Sequence, residues 1–315
     1  ILGAARKQGY WLIYGAMPTN RLIVLIGWLL GKKVFFRSTL YTFDDATTLI
    51  SSKKNPTKTF YRFIYGRLTG YYALNSALAE AWNNVYSNII PVFVSPQGTT
   101  LPHPAPNEGD RNEARNILGL PHNRLVVLMV GHLITRKGFP EIFDWLAKAD
   151  CKFLLLHVGT LHAPESNIIS TRNNEMRQNM IAGQNRLGER ISFVECSQQT
   201  SLYYYASDIF LLASEAEGYP PNTVNEAMAA GLPILSNRIE GSTDYITDSY
   251  NGFLYTGFEE FITKFNLLAT NQQLRQQLGN NALQYAKRYF DINPIAENLL
   301  KFMDESAASH NRRSR

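Results

Sequence analysis

Cysteine is almost missing from this chain: 315 residues contain two, Cys151 and Cys196. Each borders an apolar run of strand length, neither has a CxxC partner, and no histidine cluster accompanies them. That excludes a disulfide-stapled fold, argues against a metal site, and fits buried free thiols in a reducing compartment. Long apolar runs are lacking as well. The longest, near Leu22 to Leu30, falls far short of a bilayer span and reads as a packed helix feeding the strand Val-Phe-Phe. No secretory signal, internal repeat or low-complexity tract is visible. The chain opens on Ile1 without a methionine, so a natural start further upstream is expected.

Negative charge is scarce in one region. Residues 1–70 hold two acids, Asp44 and Asp45, against 11 Lys and Arg, a balance of +9. The rest of the chain holds 20 basic and 24 acidic residues, a balance of −4. The basic segment also carries Trp11, Trp28, Tyr61 and Tyr65. An anionic membrane surface or a lipid-phosphate substrate suits such a segment, and so does a plain solvated basic face over core aromatics. Nucleic acid is not expected as a partner, because no recognition motif accompanies the charge. With 45% hydrophobic and 18% charged residues, the chain is an ordinary globular protein long enough for two domains.

What is present centres on residues 209–255. The apolar run Ile209 to Ala213 reads as a strand, and a loop follows with Glu215, Glu217, Gly218 and the pair Pro220-Pro221. The prolines bar a helix before Asn222, TVNEAMAA then favours one, and Gly231 with Pro233 ends it. PILSN is a second strand, which completes a βαβ unit. Its parallel sheet places a helix N-terminus at the strand's C-terminal edge, where free N–H groups and the helix dipole attract anions. The N–H groups of Asn222, Thr223 and Val224 are candidates for phosphate, with Glu217 before them and Glu226 in the first turn as acceptors for sugar hydroxyls. Thr223-x-x-Glu226 also fits a capping box, in which Glu226 would only satisfy backbone donors.

The stretch EGYPPNTVNEAMAAGLPI, followed by NGFLY, resembles the donor-binding signature of retaining nucleotide-sugar glycosyltransferases of the GT-B group, typified by glycosyltransferase family 4. The resemblance implies an α/β fold of two Rossmann-like domains with parallel sheets. It implies that Glu226 binds the ribose hydroxyls and that Glu217 faces the transferred sugar. Eight residues, Gly218 to Asn225, separate the two glutamates, one more than the family usually has. The second proline looks like the insertion.

A second constellation is VGHLITRKGFPEI, residues 130–142. A strand ends at Gly131, and the loop after it carries Arg136 and Lys137, cations suited to a diphosphate. In the family a glycine-arginine pair is followed by lysine-glycine. Here Lys137-Gly138 matches the second half, His132 replaces the arginine, and Arg136 is the candidate substitute. Glu217 and Lys137 are the expected catalytic groups. The resemblance calls for no metal or other cofactor beyond the nucleotide-sugar substrate. His157, inside LLLHVG, reads as a satisfied core histidine, and Asp44-Asp45 is not a spaced metal-binding pair.

Along the chain, 1–98 reads as a partial acceptor-side domain, with helices near 18–31, 57–67 and 75–87 and strands at Val34 to Phe36 and in IIPVFVS. Residues 96–110 read as a linker. Residues 99–288 form the donor domain, with strands VVLMVG, FLLLHVG, ISFVEC, IFLLAS and PILSN separated by helix-like stretches. Residues 289–315 would supply a crossover helix, at 292–307, and a disordered basic tail, HNRRSR. No glycine-rich turn precedes Gly98 and the first histidine is His103, so the N-terminal domain is expected to be incomplete and the chain to bind donor but transfer little.

The reading is a hexosyltransferase using a UDP- or GDP-sugar and a hydroxyl of a glycan or lipid-linked acceptor. It would be cytoplasmic, at the inner face of a membrane. A non-catalytic partner subunit and a nucleotide-sugar epimerase of the same fold are the rivals. A hydrolase is disfavoured, since its carboxylates must flank a sugar rather than a helix start.

Overall fold

A computed structural model describes residues 9–15, 18–38, 45–87, 89–102, 106–159, 167–195 and 199–313. Cys196, Asp44, His103 and the last two residues of the basic tail lie outside them. The chain divides into two compact units: Ile1–Gly98 with Gly218–Pro220 and Phe290–Arg315, and Thr99–Glu217 with Pro221–Tyr289.

The first unit holds β1 (Tyr10–Tyr14), α1 (Pro18–Leu29), β2 (Lys33–Arg37), α2 (Ala46–Ser51), α3 (Thr57–Tyr65), β3 (Gly70–Ala73), α4 (Ser76–Tyr86) and β4 (Val92–Val94). The strands pair in parallel in the order β1-β2-β3-β4. β1, α2 and β3 are absent from the sequence reading. β3 is the four residues GYYA, all buried, too short and too rich in Tyr and Gly to register as an apolar run. The segment IIPVFVS yields only Val92–Val94 as strand, because Ile89 stands 63% exposed and Pro91 offers no donor. Tyr71 stacks on Trp82 with ring centroids 4.1 Å apart, at the centre of a core that includes Phe35, Phe36 and Tyr65. Asp45 has a structural role: its carboxylate caps α2 by accepting from the Thr48 N–H at 2.8 Å.

In the second unit come α5 (Glu108–Leu118), β5 (Leu125–Val130), α6 (Glu141–Ala147), β6 (Phe153–Gly159), α7 (Asn167–Leu187), β7 (Ile191–Glu195), α8 (Thr200–Tyr205) and β8 (Ile209–Leu212). After them come α9 (Asn222–Ala229), β9 (Ile234–Asn237), β10 (Gly252–Tyr255), α10 (Gly257–Thr270) and α11 (Gln272–Tyr289). The linker reading extends too far, since a capping box of Asn107 and Asp110 starts α5 at Glu108. Six parallel strands lie in the order β10-β9-β8-β5-β6-β7. All seven residues of β6 are buried, as expected for a parallel sheet covered on both faces.

The final helix, α12 (Ile292–Arg313), returns to the first unit, where Leu299 and Met303 join the core and Phe302 meets Phe35 and Phe93. It runs into the HNRRSR segment, so the expected disorder does not hold through Arg313.

Candidate functional site

The order of the second sheet fixes where a ligand can bind. From β5 the chain builds outward through β6 and β7, then returns to β5's other side with β8, β9 and β10. The strand order therefore reverses between β5 and β8, and such a switch point opens a crevice at the strands' C-terminal ends. The loops that leave β5 and β8 are 131–138 and 213–221, the two stretches singled out in the sequence.

The structure joins these loops closely. The Glu215 N–H donates to the Arg136 carbonyl at 2.9 Å, and the Arg136 guanidinium donates to the Ala216 carbonyl. Gly138 is the hinge of this contact. Its φ is +83°, and a Cβ there would stand 2.3 Å from the Ala213 carbonyl oxygen. Gly159, the last residue of β6, has a similar need: a Cβ would lie 1.9 Å from the Gly131 carbonyl, so its backbone role is sufficient explanation.

Between the loops sits an ion pair. Lys137 Nζ donates to Glu217 Oε1, which also accepts from Ser214 Oγ at 2.6 Å, and Arg136 Nη1 stands 3.8 Å from Glu217 Oε2. The carboxylate is 9% exposed and the ammonium 15%. A pair this desolvated is held by its geometry, and removing either partner leaves an uncompensated charge. Asn237, at the end of β9, fixes the loop by donating to the Ser214 carbonyl at 3.1 Å. Gly131 follows β5 with a φ of +141°, beside the Lys137 side chain. His132 is half-buried next to it.

Glu226 departs from the sequence reading in two respects. α9 begins at Asn222 with Pro221 in the cap position and no side-chain cap, so Glu226 lies beyond the first turn and no capping box forms. The Val224 N–H donates to the Pro221 carbonyl at 3.0 Å, which removes it from the expected phosphate donors. Asn222 and Thr223, ahead of it, keep N–H groups with no preceding helical turn to accept them. The Glu226 carboxylate instead accepts from the buried Tyr204 hydroxyl, Oη to Oε2 at 2.6 Å. It borders a cavity of about 340 Å³ lined also by Thr100, Leu101, Thr200, Ser201 and Ala229. Another cavity, of about 260 Å³, lies at the sheet's opposite edge by Arg111, Asp208 and Arg275, away from both loops.

Sequence reasoning missed Tyr204, Ser214 and Asn237. Nothing in the run Tyr203-Tyr204-Tyr205 distinguishes its middle member, and the Asn237 contact spans 23 positions. His157 is a core residue between Phe139 and Phe193. It is not satisfied as expected: neither ring nitrogen has a well-formed hydrogen bond, and burial lowers its pKa to about 4, with the Gly131 backbone acting in the opposite direction.

Comparison with known proteins settles the family. The profile of the family described as Glycosyl transferases group 1 matches residues 110–285, more than half of the chain. The chain belongs to this family. Among curated relatives, the Bacillus subtilis spore coat protein SA is 27% identical over 64% of this chain and 54% of its own length. A Campylobacter jejuni enzyme named N,N'-diacetylbacillosaminyl-diphospho-undecaprenol alpha-1,3-N-acetylgalactosaminyltransferase is 30% identical over 57% of this chain and 44% of its own. The chain thus spans about half the length of the curated relatives it matches. Among solved structures, Anabaena HepE in complex with UDP superposes with a TM-score of 0.76 at 19% identity, covering 96% of this chain and 80% of that one. Sucrose-phosphate synthase from Thermosynechococcus elongatus gives 0.73 at 20% identity, covering 98% and 76%. The fold is α/β with parallel sheets, of the GT-B glycosyltransferase type.

Proposed function

We propose that the protein transfers a hexose from a UDP- or GDP-sugar to a hydroxyl of a glycan or lipid-linked acceptor, with retention. The observation that carries this reading is the meeting of loops 131–138 and 213–221 at the sheet's switch point, with a cation and a carboxylate paired between them. The donor's diphosphate competes for Lys137 and Arg136, and the Asn222 and Thr223 N–H groups add a helix N-terminus, a contribution of about 0.3–2 kcal/mol for an anion. Releasing Lys137 frees Glu217 to accept from the sugar's hydroxyls. Glu226, held by Tyr204, takes the ribose hydroxyls at the mouth of its cavity.

In transfer, negative charge grows on the departing diphosphate. Lys137, once released from Glu217, and the N–H groups at the start of α9 meet that charge as it develops, which lowers the barrier rather than only the binding energy. No metal is invoked, since these cations supply the charge. The acceptor class draws support from relatives: the Campylobacter enzyme and an Escherichia coli galactosyltransferase are both named for diphospho-undecaprenol-linked substrates. We place the protein at the cytoplasmic face of a membrane, a position compatible with such acceptors. No helix among the described residues is long and apolar enough to cross a membrane.

The test is turnover of UDP- and GDP-hexoses with polyprenyl-diphosphate-linked and free glycan acceptors, with the product's anomeric configuration read by NMR. Product of retained configuration supports the proposal. Nucleotide affinity with no transfer, from the chain and from a longer form of it alike, favours a non-catalytic subunit. Sugar isomerisation without acceptor favours an epimerase.

A further inference from the structure

We propose that the first unit docks on an anionic bilayer surface through the outward face of α1 together with α3. The stripe of α1 opposite its buried side is apolar. Leu22, Ile26 and Leu29 are 61%, 48% and 67% exposed, with Ile23 and Leu30 beside them. Their spacing of three and four residues puts them on one side of the helix, away from the buried Val24 and Gly27. A helix surface facing water is normally polar, so a contiguous set of large apolar side chains there marks a binding face.

α3 extends that face. Phe60 and Phe63 are 54% and 44% exposed, and Phe63 meets Trp28 edge-on at 6.1 Å. The Arg67 guanidinium lies 4.5 Å from the Trp28 ring centre and 4.3 Å from that of Phe63, while Arg21 lies 4.1 Å above Tyr61. These contacts bind the two helices into one platform, with tryptophan and arginine at its centre.

Charge selects the occupant. Lys32, Lys53, Lys54, Lys58 and Arg62 are exposed on and around α1 and α3. From residue 9 to residue 70 the one described acid is Asp45, which is fully buried and engaged as a helix cap. An apolar stripe rimmed by exposed cations matches what an interfacial helix offers to anionic lipid: hydrocarbon contact, plus attraction to headgroups. At 12 residues α1 is too short to span a bilayer, so it would lie in the interface plane. A second copy fits worse, because pairing this face with itself brings the cations together. Nucleic acid would use the charge and leave the apolar stripe in water.

The test mixes the whole chain with vesicles of equal parts phosphatidylcholine and phosphatidylglycerol, or with phosphatidylcholine alone, and sediments them. The chain should partition onto the anionic vesicles, less so at high salt, with a blue shift in emission that Trp28→Phe removes. Replacing Leu22, Ile26 and Leu29 together by Ser should lower partitioning at least about tenfold without lowering the melting temperature, since all three side chains are exposed. Lys53→Glu with Lys54→Glu and Lys58→Glu should weaken binding and flatten its salt dependence. Equal partition onto both vesicle types overturns the proposal, as does a Ser variant that sediments like the parent. A dimer in solution that the Ser substitutions dissolve, with vesicles ignored, overturns it too. Nucleotide binding in vesicle-free buffer is a separate readout of the second unit, so the donor-site proposal stands or falls without this one.

Discussion

Glu226 is the residue at which a ligand role and a structural role separate most cleanly. Its carboxylate accepts one hydrogen bond within the protein, from Tyr204 at 2.6 Å, and caps no helix. In Glu226→Gln the side-chain carbonyl still accepts from Tyr204, so stability should stay within about 0.5–1 kcal/mol of the parent. That is a melting shift of about 1–4 °C for a unit of this size. Glu226→Ala removes the carboxylate to which Tyr204 donates, at a cost of about 1–3 kcal/mol, toward the lower end because the adjoining cavity can admit water. Ribose hydroxyls donating to a carboxylate make charge-assisted bonds of about 1.5–3 kcal/mol, so Glu226→Gln should weaken UDP or GDP binding about 10- to 100-fold. Calorimetric titration of parent and both variants, beside their melting curves, checks this. A Gln variant that binds nucleotide like the parent would refute the ribose role, and an Ala variant that loses only stability would make Glu226 a support for α8.

Further predictions follow from single contacts. Gly138→Ala forces a Cβ onto the Ala213 carbonyl at a positive φ, and should cost about 1–3 kcal/mol by chemical denaturation and weaken nucleotide binding as well. His157 is neutral when folded and titrates near pH 4, against 6.5 when unfolded. Stability should therefore be full above about pH 6.5 and fall by roughly 3 kcal/mol as the pH drops to about 4, a slope that His157→Phe removes. Asp208 accepts from Arg115 at 2.6 Å and from the Val126 N–H at 2.8 Å, at the edge of the sheet away from the loops. Asp208→Ala should cost about 3–5 kcal/mol in stability while leaving nucleotide affinity of the folded protein unchanged.

The two units were not equally legible in the sequence. In the second, apolar runs such as FLLLHVG are buried on both faces, and a covered parallel strand leaves that continuous signature. In the first unit, YWLIY and GYYA mix tyrosine with apolar residues over four or five positions, which periodicity does not resolve. The two loops were visible because prolines, glycines and charges cluster there. Their meeting was visible only through βα topology, since Lys137 and Glu217 are 80 positions apart. The capping-box alternative fails although Thr223-x-x-Glu226 has the right letters, because the helix starts at Asn222 and puts Pro221, two residues before Thr223, in the cap position. Tyr204 reaches Glu226 from a six-residue helix whose three consecutive tyrosines look alike in sequence.

The central claim is that the second unit holds a nucleoside diphosphate between loops 131–138 and 213–221. Melting the unaltered chain against increasing UDP and GDP tests it most directly. A ligand at a hundred times its dissociation constant stabilises the native state by about 2.7 kcal/mol, so a saturable rise of about 5–10 °C is predicted with at least one of the two. A melting temperature that stays fixed with both at millimolar concentration would contradict it.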